Sequence, residues 1–123
     1  MARTELWMDK PEAHDYAAAK DYLSLLLEAK QSAALIERLR RAPLVRRMAK
    51  DILRASRLPL LPKDDPHVAR ELKKARKGKR LSPVLLVHGE LSRGVPLTVA
   101  DGYHRICASW YIDEDAIIPC RMA

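Results

Sequence analysis

The chain contains no phenylalanine and few aromatic residues of any kind: two tryptophans and four tyrosines, 5% of its length. That scarcity excludes a run of stacking rings of the sort that grips single-stranded nucleic acid. There are only two cysteines, Cys107 and Cys120, spaced neither as a zinc knuckle nor as a redox CxxC, so free thiols in a reducing cytoplasm are expected. The four histidines, His14, His67, His88 and His104, are scattered without metal-ligand spacing, and no metal site is expected. No apolar run approaches the ~18 residues of a membrane helix. The opening MARTELWMDKPEAHD has no apolar core of a signal peptide. A cytoplasmic protein without membrane contact is the expectation.

What is present is globular: 48% apolar and 32% charged residues over a length of 123, which points to one compact unit. The formal net charge of +7 is unevenly placed. Residues 1–37 sum to −3, residues 38–80 to +12 and residues 81–123 to −2. The middle third therefore carries the whole basic excess. Either it is a pair of solvated helix faces, or it attracts a polyanion such as nucleic acid.

The first half reads as helices. Asp15 is positioned to cap a helix through YAAAKDYLSLLLEA, with Tyr22, Leu23, Leu26 and Leu27 as its apolar stripe. Ser32 is positioned to cap AALIERLRRA. Pro43 opens a third helical pattern, in which Val45, Met48, Ala49, Ile52 and Leu53 recur at helical spacing. Pro59 and Pro62 break the pattern, and Leu58, Leu60 and Leu61 suit a short extended segment at a sheet edge. Asp65-Pro66 is a helix start, with Asp as cap and Pro in the first position, and Gly78 marks that helix's end. From Leu81 the period changes. SPVLLVHG and PLTVA predict two strands of a hairpin, Tyr103 to about Ile112 a helix, and IIPCRM a last strand. The class is α+β.

The stretch VADGYHRICASW carries the chemistry. A strand ends at Asp101-Gly102 and a helix begins at once. Such a turn leaves bare backbone N–H groups at the positive end of a helix, which is an anion site. Gly102 admits a phosphate close to the backbone. Arg105 supplies a fork of donors, and His104 a hydrogen bond. Tyr103 lies in the same turn. Asp101 is either a turn residue or a catalytic candidate. Lys63 and His67 are weaker candidates: His67 sits in the first turn of the helix that starts at Pro66, where it reads first as a surface residue, and Lys63 lies close by in the preceding loop. The turn alone is a weak signal.

Taken together, LPLLPKDDPHVARELKKARKGKRLSPVLLVHG and PLTVADGYHRICASWYIDEDAIIPCRM resemble the ParB/sulfiredoxin-like superfamily over roughly residues 58–122. The specific parts are the G-x-x-R turn with its strand and the Ile118-Pro119 strand. The resemblance implies a small mixed sheet with two helices, on which the N-terminal helices pack. It also implies nucleotide binding at Gly102, Tyr103, His104 and Arg105, with ATP or CTP and Mg²⁺ as candidate cofactors. In sulfiredoxins the turn reads G-C-H-R and the Cys is the nucleophile. Here Tyr103 occupies that position, and a phenol of pKa ~10 does not replace a thiolate. Cys107 is expected to pack inward, so sulfiredoxin activity is not expected. The D-G-x-x-R form also looks like the turn in the superfamily's free-serine kinases. No helix-turn-helix domain of the chromosome-partitioning ParB kind is expected to accompany the turn.

Two units follow: a helical N-terminal extension over 1–57 and a ParB/sulfiredoxin-like domain over 58–123. The first functional expectation is a nucleotide- or phosphate-binding protein, acting as a nucleotidase, a phosphotransferase or a sensor without turnover. The alternative is a basic nucleic-acid-binding or regulatory module. It would use Arg38, Arg40, Arg41, Arg46, Arg47 and Lys50, and beyond them Lys73, Lys74, Arg76 and Lys77. The leucine-rich N-terminal helices must cover the sheet or a second subunit, so a homodimer is a further expectation.

Overall fold

The computed structural model describes residues 6–123. The first five residues of MARTELWMDKPEAHD lie outside the described residues. The architecture is α+β. Helices α1 (Ala13–Leu23) and α2 (Ala29–Arg41) come first, then strand β1 (Leu44–Met48) and helices α3 (Ala49–Ser56) and α4 (Pro66–Arg76). Strands β2 (Val84–Val87) and β3 (Thr98–Asp101), helix α5 (Tyr103–Ile112) and strand β4 (Ile117–Met122) complete the chain. The four strands form one sheet in the order β1-β4-β2-β3. β1 runs antiparallel to β4, β2 antiparallel to β3, and β2 parallel to β4.

The sheet is covered on both faces. Val84, Leu86, Ile118 and Cys120 pack with α3, α4 and α5 on one side. Leu85 and Ala100 pack with Tyr16, Ala19, Leu23, Leu35, Ile36 and Leu39 of α1 and α2 on the other. This explains the unbroken apolar run VLLV, because a strand buried on both faces has no polar side to alternate with. It also answers where the N-terminal leucines go: α1 lies on β3 and α2 on β4.

Several sequence expectations change. Asp15 does not cap α1. Glu12 does, in a capping box with Asp15 at the third helical position, where Asp15 Oδ2 accepts from the Glu12 N–H at 2.9 Å. The helix stops at Leu23 so that the chain can turn back into α2, and Tyr22, Leu25 and Leu26 are left exposed. α2 is likewise capped by Glu28 rather than Ser32, with Gln31 completing the box.

The helix expected from Pro43 is a strand followed by a shorter helix. Leu44–Met48 pairs residue for residue with β4, from Leu44 opposite Arg121 to Met48 opposite Ile117. Tertiary pairing with β4 overrides a helical spacing that only Ala49, Ile52 and Leu53 retain. The sheet therefore draws strands from both sides of residue 58, and the 1–57 extension is not purely helical. No helix-turn-helix forms around Pro43. Residues 58–62 form no strand at a sheet edge. They run across α5, where the Tyr103 hydroxyl donates to the Pro59 carbonyl at 2.6 Å and the Tyr111 hydroxyl to the Leu61 carbonyl at 2.7 Å. The hairpin, α4, α5 and the last strand lie where the sequence predicts them.

Candidate functional site

The turn is built as its sequence suggests. β3 ends at Asp101, Gly102 takes φ 109°, and α5 starts at Tyr103 with no side-chain cap. Gly102 has two reasons to be glycine. A left-handed φ strains any L side chain, and an added Cβ would sit 2.5 Å from Val84 Cγ1 and 3.0 Å from Arg105 Nη2. The Ile106 N–H closes the first helical turn on the Gly102 carbonyl at 3.0 Å. The N–H groups of the three residues before it precede the intrahelical ladder.

Arg105 points inward. Its Nε donates to the Ser82 carbonyl at 2.9 Å and its Nη2 to Asp101 Oδ2 at 2.9 Å, with the Pro83 carbonyl at 3.5 Å. Asp15 Oδ1, from α1 on the far side of the sheet edge, lies 3.9 Å from the same Nη2. Asp15 is buried at 2% exposure and Arg105 nearly so at 13%. Two carboxyls thus share one guanidinium. Burial pushes the Asp101 carboxyl up, against the pull of Arg105, and the neighbouring Asp15 carboxyl adds to the rise. Asp101 and Arg105 brace the turn from behind and tie α1 to it. Asp15 is the residue that sequence reading missed at this site. It reads as a helix-start residue, and no spacing rule links it to Asp101.

The outward face belongs to histidines. His67, in the first turn of α4, stacks on His104 with ring centroids 4.7 Å apart and planes tilted by 37°. Tyr103 follows at 5.6 Å from His104. Burial depresses the His104 pKa, and the His67 ring and Arg105 depress it further, while the Asp65 and Glu71 carboxylates oppose them. Asp65 caps α4 and accepts from the His67 and Val68 N–H groups at 2.9 and 3.1 Å. The Val68 hydrogen bond foremost, with that from His67 and help from both histidines, holds its carboxyl below the usual range against the opposing effect of burial. The start of α4 is therefore already neutralised by a carboxylate, whereas the start of α5 is not. Lys63 is exposed on the turn before Asp65.

Other groups at the turn are poorly suited to covalent chemistry. The Tyr103 phenol is raised, chiefly by burial, and its oxygen is engaged with Pro59. The buried Cys107 thiol is raised as well, mostly by burial. Among the described residues no group of three or more His, Cys, Asp or Glu side chains could hold a metal ion. With Asp101 turned to Arg105, the turn presents no carboxylate set for Mg²⁺.

No protein-family model, curated protein or solved structure matches this chain. No helix among the described residues is long and apolar enough to cross a membrane.

The basic residues fall in two places, all exposed. Arg38, Arg40 and Arg41 end α2, and Arg46, Arg47 and Lys50 follow on β1 and the start of α3. Lys73, Lys74, Arg76 and Lys77 end α4. Several already have local partners. Arg40 lies 4.5 Å over the Tyr16 ring, Lys50 pairs with Asp115 at 2.9 Å, and Lys74 pairs with Glu71 at 3.3 Å. At helix C-termini such cations are favourable for structural reasons alone.

Proposed function

We propose that the protein binds the phosphate of a nucleotide or other phosphorylated ligand at the start of α5, beside the paired imidazoles of His67 of α4 and His104 of α5. The observation that carries this reading is the imidazole pair, 4.7 Å apart, beside a helix start that no side chain caps. Backbone N–H groups at positions 103–105 would donate to the phosphate oxygens, and the helix dipole favours negative charge there. The two imidazoles would add donors, and a bound phosphate would favour the protonated form of His104. The reading assigns Arg105 and Asp101 to holding the turn rather than to touching the ligand. Lys63, on its exposed turn, is a candidate for outer phosphate oxygens. A nucleotide is the ligand class that the superfamily resemblance implies. The residues at the turn do not fit a resident Mg²⁺, and no step is routed through one.

The test is a calorimetric titration of the wild type with ATP, CTP and inorganic phosphate, repeated on His104→Gln and His67→Gln. Saturable binding that weakens at least tenfold in each variant supports the reading. Heat from none of the three ligands, or wild-type affinity in His104→Gln, removes it.

A second reading, contact with nucleic-acid backbone, is favoured by the exposed run from Arg38 to Lys50 on α2, β1 and α3. Its mark is a steep salt dependence.

A further inference from the structure

α3 ends in an unusual way. Arg57 closes it with φ 60° and ψ 24°, the sole non-glycine residue at positive φ among the described residues. The Arg57 N–H bonds to the Arg54 carbonyl at 3.2 Å, and the Leu58 N–H reaches back to the Leu53 carbonyl at 3.2 Å. This is a left-handed helix closure, at which glycine is the usual residue because a Cβ is strained there. The chain does use glycine at its other left-handed positions, Gly78, Gly94 and Gly102. At residue 57 it carries a long cation instead, and no acidic group among the described residues pairs with it.

That cation is among the residues that line an open, shallow groove of about 480 Å³. Leu58, Pro59 and Leu60 line it beside Trp110 of α5, and Lys50, Arg54 and Arg57 form its basic side. Lys50 and Arg54 lie one turn apart on α3, and Arg57 follows at its left-handed end. Two already have acidic partners. Lys50 Nζ is 2.9 Å from Asp115, and Arg54 Nη2 is 3.3 Å from Asp51. Arg57 alone offers the groove an uncompensated charge. A charged side chain at a helix closure where glycine is the usual residue, set beside an apolar surface, points to a ligand.

We propose that this groove binds a small amphiphilic anion, its aromatic or aliphatic body against Trp110 and the leucines and its acidic head on Arg57. A polynucleotide would find one ring, an apolar floor and one free cation. A single anionic head on an apolar body matches what the groove presents. The site is separate from the phosphate reading at α5's start and does not depend on it.

The probe is 1-anilinonaphthalene-8-sulfonate, an aromatic body with one anionic group, followed in ¹H–¹⁵N spectra through the tryptophan indole signals. Trp110→Phe assigns the Trp110 signal against that of Trp7. The expected result is a saturable shift of the Trp110 indole and none at Trp7. Arg57→Gly and Arg57→Asn should each weaken the dye at least tenfold while unfolding at or above the wild-type midpoint, since both residues tolerate the left-handed conformation. His104→Gln should leave dye binding unchanged, which separates this site from the start of α5. The proposal is overturned by an unmoved Trp110 signal, by equal dye affinity in both Arg57 variants, or by a lowered midpoint in both. It is equally overturned if a short single-stranded oligonucleotide or an acidic peptide shifts Trp110 where the dye does not.

Discussion

Asp15 and Arg105, at opposite ends of the chain, lie 3.9 Å apart behind the Gly102 turn, with Asp101 at 2.9 Å on the same guanidinium nitrogen. The N-terminal helix is thereby tied electrostatically to the segment that carries the candidate site. Arg105→Ala would leave two mostly buried carboxyls without their cation. The expected loss at pH 7 is about 3–5 kcal/mol, measured by urea unfolding. The loss should shrink as pH is lowered and the stranded Asp101 carboxyl, already raised by burial, takes up a proton. Equal stability of wild type and variant at pH 7 would mean that the network is not formed.

Asp101 also sets a sign in the wild type. Its carboxyl is raised, so between the ordinary value of about 3.9 and its own the folded state holds more protons than the unfolded state. Its contribution to stability therefore falls as pH rises through that window. Asp101→Asn should remove this slope, which a series of unfolding curves from pH 3.5 upward would register.

His104 has a depressed pKa, so the unfolded state binds its proton more readily. Stability should decline as pH falls below about 6.5, and His104→Gln should flatten that decline. The phosphate reading adds the opposite trend for binding. A ligand that favours the protonated ring should bind more tightly as pH drops from 7.5 to 6, by up to about tenfold per pH unit for one linked proton. Affinity that ignores pH over this range would argue against imidazole contacts.

Gly102→Ala combines a strained φ with a collision against Val84. A loss of about 2 kcal/mol or more is expected, by thermal or urea unfolding. A smaller loss would indicate that β2 and α5 separate easily.

Tyr103→Phe and Tyr111→Phe each release one carbonyl of the 58–62 segment. Each should lower stability by about 1 kcal/mol and speed amide exchange or proteolysis within that segment more than elsewhere. Unchanged exchange there would show that proline stiffness, not the hydroxyls, holds the segment in place.

The elements legible in the sequence were those whose signals are local. Asp65 accepts the His67 and Val68 N–H groups as a cap must, with Pro66 behind it, and the β2–β3 hairpin and α5 follow from a change of period and a glycine. The segment from Leu44 to Met48 was illegible because its spacing fits a helix as well as a strand, and only β4 decides between them. The same holds for the site. Gly102 and the helix start were visible in DGYHR, but the directions of the side chains were not. Arg105 reads as a phosphate ligand and is turned inward by Ser82 and Asp101. His67 reads as a surface residue and is brought to His104 by the packing of α4 on α5.

The amino-acid order by itself determined the α+β class, the basic middle third and the existence of an open helix start after Gly102, because caps, glycine and short-range periodicity act within a few residues. Only the tertiary structure decided that Asp15 reaches Arg105, that two distant imidazoles face each other, and that Arg57 stands over an apolar groove. Those contacts join residues far apart in the chain, and it is the burial of both faces of the sheet that brings them together.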